Sequence, residues 1–379
     1  MLRVLEAFAG YGSQSIALRN LGVEHEVVAI SEIDKYAIKA YEAIHGPANN
    51  LGDICKIDPS DIPDHDLFTY SFPCQDLSVA GKQAGLGKGT RSGLLYECKK
   101  IIEVKKPKYL LLENVKNLVG KKFKPQFDKW LEYLESLGYT NYWQVLNAKH
   151  YGVPQNRERV FVVSILGNHE PYKFADKIPL DKCIADILED EVDEEYYLSK
   201  EIQNRLKITN QDKISIPQAT KKGYIEMELP GVCDLAYPNS KTRRGRVQEG
   251  GKVSPTLTAA TQNICYIDLP CICASRGRNP ENPSDRTPGA PTEQRLEFNT
   301  KGTSNTITTV QKDNYVVEPT FRIRKLTPRE CFRLMGMRDD DIDKIQAAGI
   351  SNTQQYKMAG NSIVINVLEA IFKNLFMEG

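Results

Sequence analysis

The chain has 379 residues, 41% of them hydrophobic and 26% charged, an ordinary balance for a folded globular protein. Lys and Arg number 50 against 49 Asp and Glu, a net charge of +1, so global basicity does not mark a nucleic-acid binder and any basic face has to be local. No apolar run reaches membrane-spanning length, the first residues lack a secretory pattern, and nine scattered cysteines, with only Cys271 and Cys273 close together, give neither a disulfide framework nor a structural zinc site; the expectation is a reduced, intracellular, metal-free protein.

Residues 2–8 read as a strand, Ala9-Gly10-Tyr11-Gly12-Ser13-Gln14 as a small-residue turn, and 15–21 as a helix closed by Gly22. That order opens a nucleotide-binding α/β sheet: glycines let backbone approach a ligand, and the helix start offers free N–H groups. A second strand, 26–30, runs into Ser31-Glu32-Ile33-Asp34. An acid at this point commonly holds a ribose; Glu32 takes that role here, and Asp34 reads as the N-cap of a helix over 35–44. Gly52-Asp53-Ile54 puts a further acid at a plausible strand end.

Residues 65–70 read as a buried strand that delivers Ser71-Phe72-Pro73-Cys74-Gln75 at its carboxyl end. Pro73 stiffens the turn, and a single thiol there has the setting of a nucleophile; the alternative is a small buried hydrophobe. After a helix over 94–104, the apolar strand 108–112 ends in Glu113-Asn114-Val115. A desolvated carboxyl at that point has a raised pKa and can donate a hydrogen bond; the alternative is a surface acid with no task. Residues 127–137 read as a helix, and 141–146 and 160–165 as strands. Arg157 and Arg159, at alternate positions entering the last strand, are expected to point the same way, onto phosphate, a base edge or a neighbouring acid such as Glu158.

From about Leu166 the α/β alternation stops. Residues 186–195 are strongly acidic and read as a linker or solvated face. Short strands are expected at 225–229, 256–258, 264–267, 306–310 and 315–317, a separate and mostly β module. Within it 254–268 and 304–318 form a faint repeat, the first preceded by Arg243, Arg244 and Arg246 and the second by Arg276, Arg278, Arg286 and Arg295. Two β units with basic loops suit groove reading; chance likeness of Thr-rich strands is the alternative. Residues 322–335 turn helical around the cap Thr327-Pro328-Arg329-Glu330, Gly336 ends that helix, and a polar turn over 356–362 precedes an apolar helix over 363–376.

Taken in order, Phe8-Ala-Gly-Tyr-Gly12, Glu32-Ile-Asp34, Asp53-Ile54, Pro73-Cys-Gln75 with Gly81-Lys-Gln83, Glu113-Asn-Val115, Gln155-Asn-Arg157-Glu-Arg159, Arg324-Lys-Leu-Thr-Pro-Arg-Glu330 with Met335-Gly336, and Gly360-Asn-Ser362 closely resemble the cytosine-5 DNA methyltransferase family, in its bacterial and phage restriction-modification form. The resemblance omits about residues 166–320, where that family varies. It implies an α/β, Rossmann-like S-adenosylmethionine-dependent methyltransferase domain with a mostly parallel sheet, a smaller and mostly β target-recognition domain, and a DNA cleft between them. The implied boundaries are 1–180 for the catalytic and cofactor-binding domain and 181–322 for target recognition, with the repeat at 232–268 and 271–318. Residues 323–354 would form a hinge and the end of the small domain, and 355–379 a C-terminal helix packing back on the first.

The implied activity is sequence-specific DNA (cytosine-5) methylation. The target cytosine is flipped from the duplex, Cys74 attacks carbon 6, Glu113 holds ring N3 and the exocyclic amine, and Arg157 and Arg159 hold the base and the active-site loop. The methyl group passes from S-adenosylmethionine to carbon 5, leaving S-adenosylhomocysteine. For the cofactor, the resemblance implies Phe8, Gly10 and Gly12 at the turn, Glu32 at the ribose, Ile33 and Ile54 about the adenine, Asp53 at its amine and Asn361 and Ser362 at the methionine end, with Pro73 and Leu95 completing the wall. For DNA it implies Gln75, Ser78, Lys82 and Gln83 of a closing loop, then Arg243, Arg244, Arg246, Arg276 and Arg278. It also implies a cytoplasmic monomer on double-stranded DNA, without metal, any cognate endonuclease acting separately. Ile33 stands where an aromatic is frequent, and Ser13 where a glycine is common. Two other readings share these residues: a transfer-RNA cytosine-5 methyltransferase, and a DNA-binding regulator without catalysis. The Arg-rich module argues for a DNA groove, and the intact Cys74, Glu113, Arg157 and Arg159 argue against the regulator.

Overall fold

Six strands form the main sheet of the computed structural model: β1 (Leu2–Ala7), β2 (His25–Ser31), β3 (Leu67–Tyr70), β4 (Tyr109–Val115), β5 (Tyr139–Asn147) and β6 (Glu158–Leu166), in the order β2-β1-β3-β4-β6-β5. The structure describes residues 1–73, 94–197, 207–210, 213–236, 240, 242–258, 264–267, 272–278, 293–299, 314–315 and 323–377. β1 pairs in parallel with β2 on one side and β3 on the other, and β3 with β4, whereas β6 runs antiparallel to both β4 and β5. The chain thus crosses from one side of β1 to the other between β2 and β3. This is a switch point, where open α/β sheets leave a crevice at the carboxyl ends of their strands. Because β6 is reversed, it brings its amino end to that same edge, with Arg159 opposite Val115.

Two units divide the chain. The first comprises Met1–Glu189, Thr256–Gln262 and Thr327–Gly379. Its helices are α1 (Ser13–Asn20), α2 (Lys35–His45), α3 (Leu95–Lys105), α4 (Lys124–Ser136), α5 (Pro328–Arg333), α6 (Asp339–Ala347), α7 (Asn352–Asn361) and α8 (Ile365–Phe376). Leu5, Phe68, Tyr70, Leu110 and Leu112 of the sheet bury against Ile101 and Ile102 of α3 and Phe127, Trp130 and Leu134 of α4 in one apolar cluster. Each large side chain so buried is worth about 1.5–3 kcal/mol of hydrophobic transfer. α8 packs on α1, where Asn20 Nδ2 donates to Glu369 at 2.7 Å, and Phe376 meets the Tyr109 ring edge-on.

The second unit comprises Asp190–Pro255 and Asn263–Leu326. Among the described residues it holds three small antiparallel sheets: β7 (Lys207–Asn210), β8 (Lys213–Pro217) and β9 (Tyr224–Glu228); β10 (Gly231–Asp234), β11 (Ile264–Ile267) and β15 (Ile323–Lys325); and β12 (Ile272–Arg278) with β13 (Glu293–Asn299) and β14 (Asn314–Tyr315). Ile214, Ile216, Met227, Cys233, Cys265 and Ile267 form its core. Repeat residues 304–313 lie outside the described residues, as does the strand expected at 306–310.

Four segments depart from the sequence expectations. Residues 256–258 are not a strand: Leu257 N donates to the Gln155 side chain and Thr256 Oγ1 to Asn156 O, so this backbone is satisfied by a loop of the first unit. Residues 323–325 continue the second unit as β15 and the helix begins only at Pro328, because the Thr327–Glu330 capping box sets its start. From Thr327 onward the chain groups with the first unit, whereas 323–354 reads in sequence as a hinge and the end of the small domain. The expected turn at 356–362 is the end of helix α7 through Asn361; the glycine suggests a turn, but Tyr356, Met358 and Ala359 bury one helical face.

Candidate functional site

The carboxyl edge of the parallel strands opens into a cavity of about 430 Å³ in the first unit. Its floor is the turn after β1. Phe8 has φ +56°, a left-handed conformation that costs a bulky residue energy and persists only where the surroundings fix it. Here its N–H is held by Ser31 O at 2.8 Å. Gly10 N donates to Glu32 Oε2 at 2.9 Å, tying the turn to the end of β2. Gly12, at φ +81°, does not itself line the cavity, because it packs towards His45 and Tyr41 of α2; it leaves α1 without a side-chain cap, so the helix start at Ser13 and Gln14 faces the cavity.

Glu32 Oε1 accepts from Ile33 N and Asp34 N, which clamps the carboxylate at the cavity wall. Asp34 caps α2 through Tyr36 N and pairs with Lys357 of α7 at 2.6 Å; both line the cavity. Ile33 and Ile54 both line it, Ile33 with an exposed side chain and Ile54 buried. Asp53 lines the cavity while its side chain caps a 3-10 turn over Ile54–Lys56, so its acid sits at a turn rather than at a strand end. Asn361 and Ser362 come from the end of α7. Leu95 does not line the cavity; it is packed in the α3 core, and the preceding Leu94 takes the wall position.

Opposite these lie Ser71, Phe72 and Pro73 after β3, held because Asn114 Nδ2 donates to Phe72 O at 3.1 Å. Glu113, on β4, is buried, and Arg159 Nε lies 3.2 Å from its Oε1. The strand register explains the pair: Glu113 and Val115 share a face, and Arg159 stands opposite Val115. Burial pushes the Glu113 pKa up, and the charges of Arg159 and Arg157 only partly oppose it. Glu113 is thus a carboxyl biased towards protonation and oriented by a guanidinium, suited to hold a ring nitrogen as charge develops there.

Arg157 is a correction to the sequence reading. It does not point with Arg159 and does not line the cavity; it precedes β6 and is buried. Its Nη1 donates to Leu257 O at 2.8 Å and its Nη2 to Gly360 O and Ser362 O at 3.0 and 2.7 Å. Those carbonyls attract it because helix α7 ends there with open acceptors. Arg246 is a second correction. It is fully buried in the second unit and donates to Asp234 O and Ala236 O, so it cannot reach a phosphate. Arg243 pairs with Asp234, and Arg244, exposed, donates to Ala219 O. Glu158, a possible partner for either arginine in sequence, pairs instead with Lys116.

Cys74, Gln75, Ser78, Lys82 and Gln83 lie outside the described residues, and of Arg276 and Arg278 only the strand is described. The sequence reading assigned no site role to Lys357 or Leu94, although both lie inside stretches already singled out, the turn over 356–362 and the helix over 94–104. Among the described residues no group of His, Cys, Asp and Glu could hold a metal, and no helix is long and apolar enough to cross a membrane.

The family model for C-5 cytosine-specific DNA methylase matches residues 2–377. The type II methyltransferase M2.ScrFI of Lactococcus lactis subsp. cremoris is 38% identical, with 99% of each chain covered. The orphan methyltransferase M.SPRI of Bacillus phage SPR is 32% identical, covering 99% of this chain and 97% of that one. Among solved structures, the S. pombe Dnmt2 methyltransferase matches with a TM-score of 0.61 at 20% identity over 100% of this chain and 99% of that one, a likeness of fold.

Proposed function

The chain belongs to the C-5 cytosine-specific DNA methylase family, and from that premise we propose that it methylates carbon 5 of a cytosine in one short duplex context, the reaction of a DNA (cytosine-5-)-methyltransferase (EC 2.1.1.37). What supports the site assignment most is the Glu113–Arg159 pair on the wall of the cavity that Phe8, Gly10 and Glu32 also line. The cavity suits S-adenosylmethionine: its volume is that of a small-molecule site, an exposed apolar Ile33 offers a face to adenine, Glu32 and Asp53 offer acceptors, and the uncapped start of α1 suits a carboxylate. When bound, the cofactor supplies an electrophilic methyl group.

The chain's own residues supply the rest. Carbon 5 of cytosine is a poor nucleophile. The Cys74 thiolate adds to carbon 6, and the electrons of the 5,6 double bond shift towards N3. Glu113, biased towards its protonated form by burial, donates to N3, and Arg159 holds it in place. Carbon 5 is now nucleophilic. After methylation it loses its proton to water, the electron pair reforms the double bond, the thiolate leaves carbon 6, and N3 returns its proton to Glu113. The target base must leave the duplex for this, at a cost of a few kcal/mol. Arg157 serves the site by holding backbone, not by touching the base.

The same reading makes residues 190–255 and 263–326 the target-recognition module, with Arg243, Arg244, Arg276 and Arg278 as its DNA-facing cations and the loop from Gln75 through Leu86 closing on the duplex. It makes the protein a cytoplasmic monomer of a restriction-modification or phage anti-restriction system, with any endonuclease separate. The test is methyl transfer from S-adenosylmethionine to unmethylated mixed-sequence duplex, read by bisulfite sequencing. Protection of one recurring cytosine context is expected; transfer to transfer RNA alone, or to neither, would overturn the reading.

A further inference from the structure

Gln155 and Arg157 tie three distant parts of the chain together at one buried point of the first unit. Arg157 reaches Leu257 O with one nitrogen and Gly360 O and Ser362 O with the other. Gln155 is also wholly buried; its amide donates to Leu334 O at 2.6 Å, and its carbonyl accepts from Leu257 N at 3.2 Å. Thr256 Oγ1 donates to Asn156 O, between the two. Gly360 and Ser362 line the cavity. Thr256 and Leu257 open the excursion Thr256–Gln262, which the chain makes into the first unit between two stretches of the second, Asp190–Pro255 and Asn263–Leu326.

The geometry of the fork matters here. A guanidinium is planar and rigid, so bonds made by its two terminal nitrogens share one orientation. If Gly360 and Ser362 shift when the cavity fills, the donor to Leu257 O shifts with them. The Gln155 amide holds the same segment, gripping Leu257 N and Leu334 O. We propose that Arg157, with Gln155, is a positioning residue that couples occupancy of the cofactor cavity to the setting of the Thr256–Leu257 segment, and through chain continuity to the module flanking it. Cofactor binding and duplex binding then strengthen each other by one shared factor, since such coupling is reciprocal. This inference rests on the proposed function, in which those flanking stretches read DNA.

The experiment measures coupling rather than activity. S-adenosylhomocysteine is titrated by calorimetry into the protein alone and into the protein saturated with a duplex carrying the cytosine context found by bisulfite sequencing. In the wild type the duplex should tighten S-adenosylhomocysteine binding by about tenfold, within the usual range of such couplings. Arg157→Lys keeps the charge and loses the fork, and should bring that factor to about one. Thr256→Val keeps the shape, removes the bond to Asn156 O without touching a buried charge, and should cut the factor at least threefold while leaving binding to the protein alone within about twofold. A merely structural residue would weaken both titrations equally. A wild type without coupling, or a folded Thr256→Val variant with wild-type coupling, would overturn the inference. Should Arg157→Lys not fold, Thr256→Val decides. A wild type that protects no cytosine context would instead overturn the functional reading, before any titration begins.

Discussion

Replacing Glu6 by Gln should remove a pH dependence from the stability of the first unit. Glu6 is fully buried on β1, two residues before the strained Phe8. The Ser15 hydroxyl donates to its Oε1 at 2.7 Å, and Tyr41, also buried, adjoins the carboxyl. Burial raises its pKa from 4.5 to about 7, against the lowering effects of Ser15 and Tyr41. The folded value lies above the unfolded one, so the folded chain keeps a proton that the unfolded chain gives up. The stabilisation is therefore full below pH 4.5 and lost as pH rises through 7. At about 1.4 kcal/mol per pH unit the loss amounts to about 3 kcal/mol. Glu6→Gln keeps an oxygen for Ser15 and does not titrate. Relative to wild type, the variant should gain about 3 kcal/mol between pH 4.5 and pH 8. The chain has two tryptophans, Trp130 and Trp143, both in the first unit, so urea unfolding followed by tryptophan fluorescence reports on that unit. A difference between variant and wild type that is the same at both pH values would refute the reasoning.

Three further outcomes are expected. Gly12→Ala would place a Cβ 2.4 Å from His45 Nε2 and 2.7 Å from Tyr41 at φ +81°, whereas Gly10→Ala meets nothing within 4 Å; S-adenosylhomocysteine titration should show a loss of about tenfold or more for the first, from strain of about 1–3 kcal/mol, and a smaller one for the second. Arg246→Leu should destabilise the second unit by about 3 kcal/mol in thermal unfolding, because buried carbonyls lose their donor, whereas Arg244→Ala should leave stability intact and lower the salt slope of duplex binding by about one. Glu113→Gln keeps the shape but cannot pass a proton to N3, so single-turnover methylation should slow by about 10²–10⁴ with cofactor affinity within about twofold; a near-wild-type rate would remove its role.

The sequence exposed the site more fully than its supports. The ends of β1, β2 and β4 were legible because glycine turns and acids after apolar runs have local causes, and Glu32 and Glu113 stand at the cavity as the strand pattern implies. Arg157 and Arg159 could not be separated by alternation, since only Arg159 belongs to β6, and the acceptors that claim Arg157 lie 100 to 205 residues away. Arg246 shows the same limit in the second unit: an Arg-rich loop reads as a basic surface until one knows that two carbonyls enclose one guanidinium. The excursion at Thr256 reads as a strand because Thr256 and Thr258 favour extended backbone; what Leu257 N pairs with is a side chain, which no local propensity encodes.

The most direct test of the covalent mechanism uses a duplex bearing 5-fluorocytosine at the protected position, incubated with S-adenosylmethionine and resolved on a denaturing gel. Fluorine at carbon 5 cannot leave as the proton does, so the wild-type protein should accumulate as a covalent complex with the duplex, attached through Cys74 and carrying the transferred methyl group, and Cys74→Ala should bind the duplex without forming it. Wild-type protein that methylates the ordinary duplex yet never crosslinks, or a Cys74→Ala variant that crosslinks or methylates as well as wild type, would contradict the account.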